Sequence, residues 1–199
     1  IMDMNQFKVP WEHWIINNFF PKEIFNLICE HLKICFLKTY TNNDGTRGDF
    51  IQGRTFLNNE YVEKYNLQIV PNWILSKKVF FENEFNINLD NFGLRMELTQ
   101  DVNGFWNKPH LDKLDKRISI IVYIKKDDTK NLASYLYTNE YGHNELQIEW
   151  NENSALIFVP KPYTWHGFKQ IHFVGNRNLI ILNLPNINNW ILKNTLWIP

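Results

Sequence analysis

The chain has 199 residues, of which 44% are apolar and 16% aromatic, enough to close one sizeable core and to exclude disorder as the dominant state. Its 21 basic and 21 acidic residues cancel, so no long-range field draws it to nucleic acid or an anionic membrane surface, and a small ligand or a neutral partner fits better. Two cysteines exclude a disulfide framework, no apolar run reaches the roughly 18 residues of a membrane span, and the N-terminus has no signal-peptide pattern, so a cytoplasmic, reducing setting is expected.

The first ninety residues are expected to be helical with loops. Pro21 can occupy the first turn of a helix whose apolar stripe is Ile24, Phe25, Leu27, Ile28, Leu32 and Cys35. Cys29 and Cys35 lie six apart on that helix, on different faces, which favours buried thiols over a bridge or a metal pair. Segment 40–53 carries Asn42, Asn43, Asp44, Gly45, Gly48 and Gly53, the chemistry of a loop able to close over a substrate or simply to connect elements. A second helix follows Pro71, with Trp73, Ile74, Phe80 and Phe81 on its buried side, and stops at 86–91.

From Asn91 the period changes to short runs rich in Ile, Val, Phe, Tyr and Trp, separated by Gly, Asn, Asp and Pro clusters. The strand candidates are 93–99, 117–124, 133–138, 145–150, 155–159, 165–173 and 178–184. An α+β, mainly β chain follows: a barrel or jelly roll with the N-terminal helices packed on one outer face. Nothing splits the chain, so 1–199 is taken as one domain, with 1–90 as helical support, 91–185 as the β core and 186–199 as a C-terminal extension. Trp190, Ile191, Leu192, Leu196, Trp197 and Ile198 of that extension are expected to pack on their own domain.

His110-Leu111-Asp112, followed much later by His166 and then Arg177, is the constellation that carries chemistry. In an extended chain positions i and i+2 share a face, so His110 and Asp112 can offer an imidazole and a carboxylate to one ion. His166 follows the turn Pro160-Lys161-Pro162-Tyr163 and supplies a third ligand if the barrel brings its strand alongside. Two His and one carboxylate on one face suit non-haem Fe(II) and leave positions open. A His at a strand end is more often a solvated or core residue, and His13, His31, His143 and His172 are read that way, with His172 filling the barrel.

These residues sit in a longer pattern. In order come Leu94-Arg95-Met96-Glu97-Leu98, the turn Gly104-Phe105-Trp106, Pro109-His110-Leu111-Asp112, and 117–124, ending Val122-Tyr123-Ile124. After them stand Asn153-Ser154-Ala155-Leu156-Ile157-Phe158, Thr164-Trp165-His166-Gly167, and Arg177. In this the C-terminal half resembles the Fe(II)- and 2-oxoglutarate-dependent oxygenases, nearest the prolyl 4-hydroxylase-like branch. The resemblance implies a double-stranded β-helix in which His110, Asp112 and His166 hold Fe(II). It also implies that Arg177 pairs with the distal carboxylate of 2-oxoglutarate, that Tyr123 donates to the same carboxylate, and that O2 is the second cosubstrate. A guanidinium fork suits that carboxylate, although a solvated Arg177 and a core Tyr123 are the plainer alternatives. Where the family carries a Gly-rich opening after this strand, the chain has Asn131-Leu132-Ala133-Ser134-Tyr135-Leu136-Tyr137, which leaves the substrate side undefined. Tyr135 and Tyr137 share a face, and Trp106, Asn107 and Trp165 flank the ligands, either as pocket or as packing.

The implied activity is hydroxylation of an unactivated C–H bond, in a peptidyl proline or a small metabolite. The alternatives are a cupin-type barrel that binds a metal or a sugar without oxidising anything, and an interaction module that keeps only the fold.

Overall fold

The computed structural model describes residues 3–34, 38–40, 52–188 and 193–198. In chain order the strands are β1 (Asp3–Phe7), β2 (His13–Asn17), β3 (Lys38–Tyr40), β4 (Gln52–Phe56), β5 (Leu94–Val102), β6 (Asn107–His110), β7 (Lys116–Lys126), β8 (Tyr135–Tyr137), β9 (Leu146–Gln147), β10 (Ser154–Phe158), β11 (Trp165–Phe168), β12 (Asn176–Pro185) and β13 (Leu196–Trp197). The helices are α1 (Lys22–Ile34), α2 (Asn59–Lys64), α3 (Ile69–Ser76) and α4 (Lys78–Phe85). All strand pairs are antiparallel. The large sheet runs β1-β2-β10-β7-β12-β5-β4-β3, with β13 also on β5, and the small sheet runs β6-β11-β8-β9. Mainly β structure, with four α-helices and two antiparallel sheets among the described residues, is consistent with a jelly roll.

Alternation along the long strands sorts their side chains between two apolar clusters. Ile118, Ile120, Val122 and Ile124 of β7, with Ile180 and Leu182 of β12, pack with Ile24 and Ile28 of α1, Ile74 of α3 and Phe81 of α4. The intervening Ile121 and Tyr123, with Leu179, turn the other way and pack with Leu136 of β8 and Phe168 of β11. The molecule is therefore three layers deep: helices, large sheet, small sheet. Strand β5 departs from this pattern on one face only. Leu94, Met96 and Leu98 join the helix-side cluster, whereas Arg95, Glu97, Thr99 and Asp101 point the other way.

The N-terminal stretch expected to be helical also supplies four strands. The β1–β2 hairpin adds to β10, and β3 and β4 extend the sheet from β5. These strands are short and partly exposed, so they lack the apolar runs that mark strands in a sequence. The helix expected after Pro71 is two, broken at Lys77, where φ −96° and ψ 4° leave the helical region. Asn58 caps α2 by accepting from the Tyr61 N–H at 2.9 Å. The expected strands 145–150 and 165–173 shrink to β9 and β11.

Cys29 is half-buried, and Cys35 lies outside the described residues, as do Trp190, Ile191 and Leu192. The expected loop 40–53 falls mostly outside them too, its ends lying in β3 and β4. Leu196 and Trp197 pack on their own chain, against β5. Among the described residues no helix is long and apolar enough to cross a membrane.

Candidate metal centre

β6 and β11 lie side by side with His110 directly opposite His166, their ring centroids 4.3 Å apart. Gly167 permits the approach: a Cβ there would stand 2.5 Å from the Asn107 carbonyl oxygen and 2.9 Å from that of Lys108. Each histidine uses the same local device. His110 Nδ1 donates to the Lys108 carbonyl at 2.9 Å, and His166 Nδ1 donates to the Thr164 carbonyl at 3.0 Å. A carbonyl only accepts, so a proton sits on Nδ1 and, in the neutral form of either ring, Nε2 carries the lone pair. Burial lowers the pKa of His166 and outweighs the opposing pull of Asp112, which keeps the ring in its ligating form.

Asp112 stands two residues beyond the end of β6, and its carboxylate meets the two imidazoles: ligand atoms of His110, Asp112 and His166 all lie within 4.8 Å of one another. Ser119 Oγ donates to Asp112 Oδ2 at 2.6 Å, and Lys116 Nζ donates to Oδ1. Burial pushes the carboxyl up, but the Lys116 charge and these hydrogen bonds outweigh it and hold Asp112 well below the usual carboxylate range. Phe158 packs on the His166 ring at 4.8 Å between centroids. Two neutral imidazoles and one ionised carboxylate on the wall of a cavity fit a divalent ion of the iron type, with coordination positions left over.

The triad faces a cavity of about 280 Å³. Arg177, at the start of β12, lines it and is almost fully buried. Its Nε donates to the Leu132 carbonyl at 2.6 Å, its Nη1 pairs with the buried carboxylate of Asp101, and its guanidinium lies 4.0 Å over the Phe168 ring. Two arms of the fork are thus committed, which leaves Nη2 for a further acceptor. Tyr123 is fully buried against Trp150, its hydroxyl accepting from the Ser134 N–H at 3.2 Å, and burial raises its pKa. It is Ser134, and not Tyr123, that lines the cavity.

Asn107 lines the cavity as well, whereas Tyr135 and Tyr137 stack on each other, rings 6.3 Å apart. His172, expected inside the barrel, is exposed beyond the end of β11, because the strand stops at Phe168. His13 is buried with Nδ1 bonded to the Trp11 carbonyl, His31 is buried against the Tyr61 hydroxyl, and His143 is exposed beside Asn139.

Several cavity residues escaped the sequence reading: Lys116 and Ser119 on Asp112, Asp101 on Arg177, and a cluster of Arg54, Arg95 and Glu97. The signal for the last was present, since charged residues alternate with Leu94, Met96 and Leu98 along one strand.

No family model matches the chain, and no curated protein matches it in sequence. Solved structures do match in shape. A prolyl-4-hydroxylase from Pseudomonas putida superposes with a TM-score of 0.63 at 10% identity, over 87% of this chain and 92% of that one. A Trichoplax adhaerens prolyl hydroxylase, solved with a hypoxia inducible factor peptide fragment, gives 0.59 at 16% identity over 88% and 84%. The viral collagen prolyl hydroxylase of Paramecium Bursaria Chlorella virus-1, solved with 2-oxoglutarate, gives 0.61 at 10% identity over 88% and 96%. The chain has the fold of the prolyl hydroxylases and their 2-oxoglutarate- and Fe(II)-dependent oxygenase relatives.

Proposed function

We propose that the protein is an Fe(II)- and 2-oxoglutarate-dependent dioxygenase that hydroxylates an unactivated C–H bond, in a peptidyl proline or a small metabolite, within a double-stranded β-helix core. The convergence of His110, Asp112 and His166 on one cavity wall carries this reading. His110 and His166 hold the iron through Nε2, their Nδ1 protons fixed on backbone carbonyls. Asp112 completes the set, kept ionised by Lys116 and oriented by Ser119. Because its carboxylate fills the third protein position, hydroxylation is favoured over halogenation, and a chlorinated product would overturn that preference. Arg177 receives the distal carboxylate of 2-oxoglutarate through Nη2, with Tyr123 and Ser134 behind it. The apolar Ile121, Phe168 and Leu179 keep water from the reacting face. The bound metal supplies the oxidising chemistry, by which 2-oxoglutarate and O2 become succinate and CO2 while one oxygen atom enters the substrate C–H bond. The cupin-type alternative is not favoured, since the folds that match are those of oxygenases.

Anaerobic titration with Fe(II), with and without 2-oxoglutarate, tests this. A weak visible charge-transfer band should appear only when both are present and should vanish in His166→Ala. The double variant Arg177→Ala with Asp101→Ala removes the guanidinium together with the carboxylate it pairs with, and should weaken 2-oxoglutarate binding roughly 10- to 100-fold. A folded protein that gives no band under any condition would refute the assignment.

A further inference from the structure

Strand β12 carries an asparagine inside an otherwise apolar run. Asn183 follows Leu179, Ile180, Ile181 and Leu182, is fully buried, and lies opposite Ser119 of β7 and Arg95 of β5. Asparagine is disfavoured in strands, and a buried amide costs stability unless hydrogen bonds offset its desolvation. An apolar side chain would serve the sheet better, so the reason for this amide lies in its partners.

The amide stands 3.1 Å from Ser119 Oγ. That hydroxyl has one proton, and Asp112 takes it: the 2.6 Å contact with Oδ2 has the length of a charge-assisted bond, and an ionised carboxylate only accepts. Ser119 therefore has no second proton to give to Asn183. With Oδ1 facing the hydroxyl, two oxygens compete for one proton, and Nδ2 is left buried without an acceptor among the described residues. A half-turn of the terminal torsion exchanges the two ends, and Nδ2 then donates to a lone pair of Ser119 Oγ. On the other flank Arg95 offers only donors, which suits an oxygen there better than a nitrogen.

We infer that Asn183 is a positioning residue for the metal: Nδ2 donates to Ser119 Oγ, commits the Ser119 proton to Asp112 Oδ2, and so holds the carboxylate in one orientation beside His110 and His166. This rests on the oxygenase reading and extends it to a residue on another strand. Both bonds point toward the anion, so each polarises the next. The two histidines belong to the small sheet, whereas Asp112 stands beyond the end of β6, and this chain ties it to β7 and β12 of the large sheet. Outer partners of this kind orient ligands and tune metal affinity.

Anaerobic calorimetry with Fe(II) tests the inference. Ser119→Ala should weaken Fe(II) roughly 10- to 100-fold. Asn183→Leu, which keeps the volume, should weaken it about 3- to 10-fold. The double variant should be no weaker than Ser119→Ala alone, because Asn183 acts through Ser119. The visible bands of Co(II)-loaded protein, which report ligand geometry, should change in both single variants. Wild-type Fe(II) affinity in Asn183→Leu, or losses that add in the double variant, would overturn the inference and leave Asn183 a structural role only. NMR of metal-free protein reads the donor directly: the Asn183 side-chain amide, assigned through its own Cβ, should have one proton protected from exchange, and Ser119→Ala should remove that protection. An amide indifferent to Ser119→Ala would also overturn it. If wild type takes up no Fe(II), the oxygenase reading fails by itself, and the amide signal still decides whether Asn183 donates to Ser119.

Discussion

Arg177 and Asp101 sit opposite each other on β12 and β5, both almost fully buried, and neither can lose the other cheaply. Arg177→Met should cost about 3–5 kcal/mol in urea unfolding, because it removes the cation paired with the buried carboxylate of Asp101. Arg177→Met combined with Asp101→Leu should recover most of that loss, since an apolar pair of similar volume avoids the desolvation penalty. Equal stability of the single and double variants, both below wild type, would show that the loss does not come from the carboxylate left behind. This residue was legible in the sequence by its place after His166, but its partner was not: the two lie 76 positions apart, and only the pairing of two strands makes them neighbours. Lys116, four residues from Asp112, was close enough to be suspected, yet a lysine at a strand start has no sequence mark that separates it from a solvated one.

Strand β11 has little freedom to shift. It is four residues long, carries His166, and passes so close to β6 that position 167 tolerates no side chain. Gly167→Ala should force the two strands apart, costing about 1–3 kcal/mol in stability, and should weaken Fe(II) binding by displacing His166 relative to His110. An unchanged Fe(II) affinity in calorimetry would mean that the strand can shift without moving its histidine. Strands β7, β10 and β12 were legible because buried β-branched and aromatic runs have no other reading at that length. The N-terminal strands were not, since β1 is nearly all exposed and β4 carries Gly and Arg, so the pairing partner and not the intrinsic pattern makes them strands.

At the scale of the molecule, the large sheet separates two apolar clusters with different duties. One fastens the helices to it, and the other lies between the sheets and backs the candidate metal ligands. Phe81→Ala, on the helix side, should cost about 3–5 kcal/mol and leave Fe(II) affinity unchanged at temperatures where the protein is folded. Phe158→Ala should cost as much and also weaken Fe(II), because its ring supports His166. Matching losses of Fe(II) affinity in both variants would show that the helical layer shapes the site after all.

The turns that join these layers share one further property. Among the described residues, every non-glycine position with left-handed backbone is an asparagine: Asn18, Asn66, Asn86, Asn91, Asn144 and Asn153. Asparagine is the side chain that enters this region at least cost, and it can be tied down as glycine cannot. Asn153 does both, its amide bonding the Phe20 backbone at both N–H and carbonyl while its own backbone turns. A bend can therefore be written in either of two residues without redirecting the chain. A corner can thus be spelled in more than one way along the same path, which is one physical route by which a backbone superposes on structures that share only 10 to 16% of its residues.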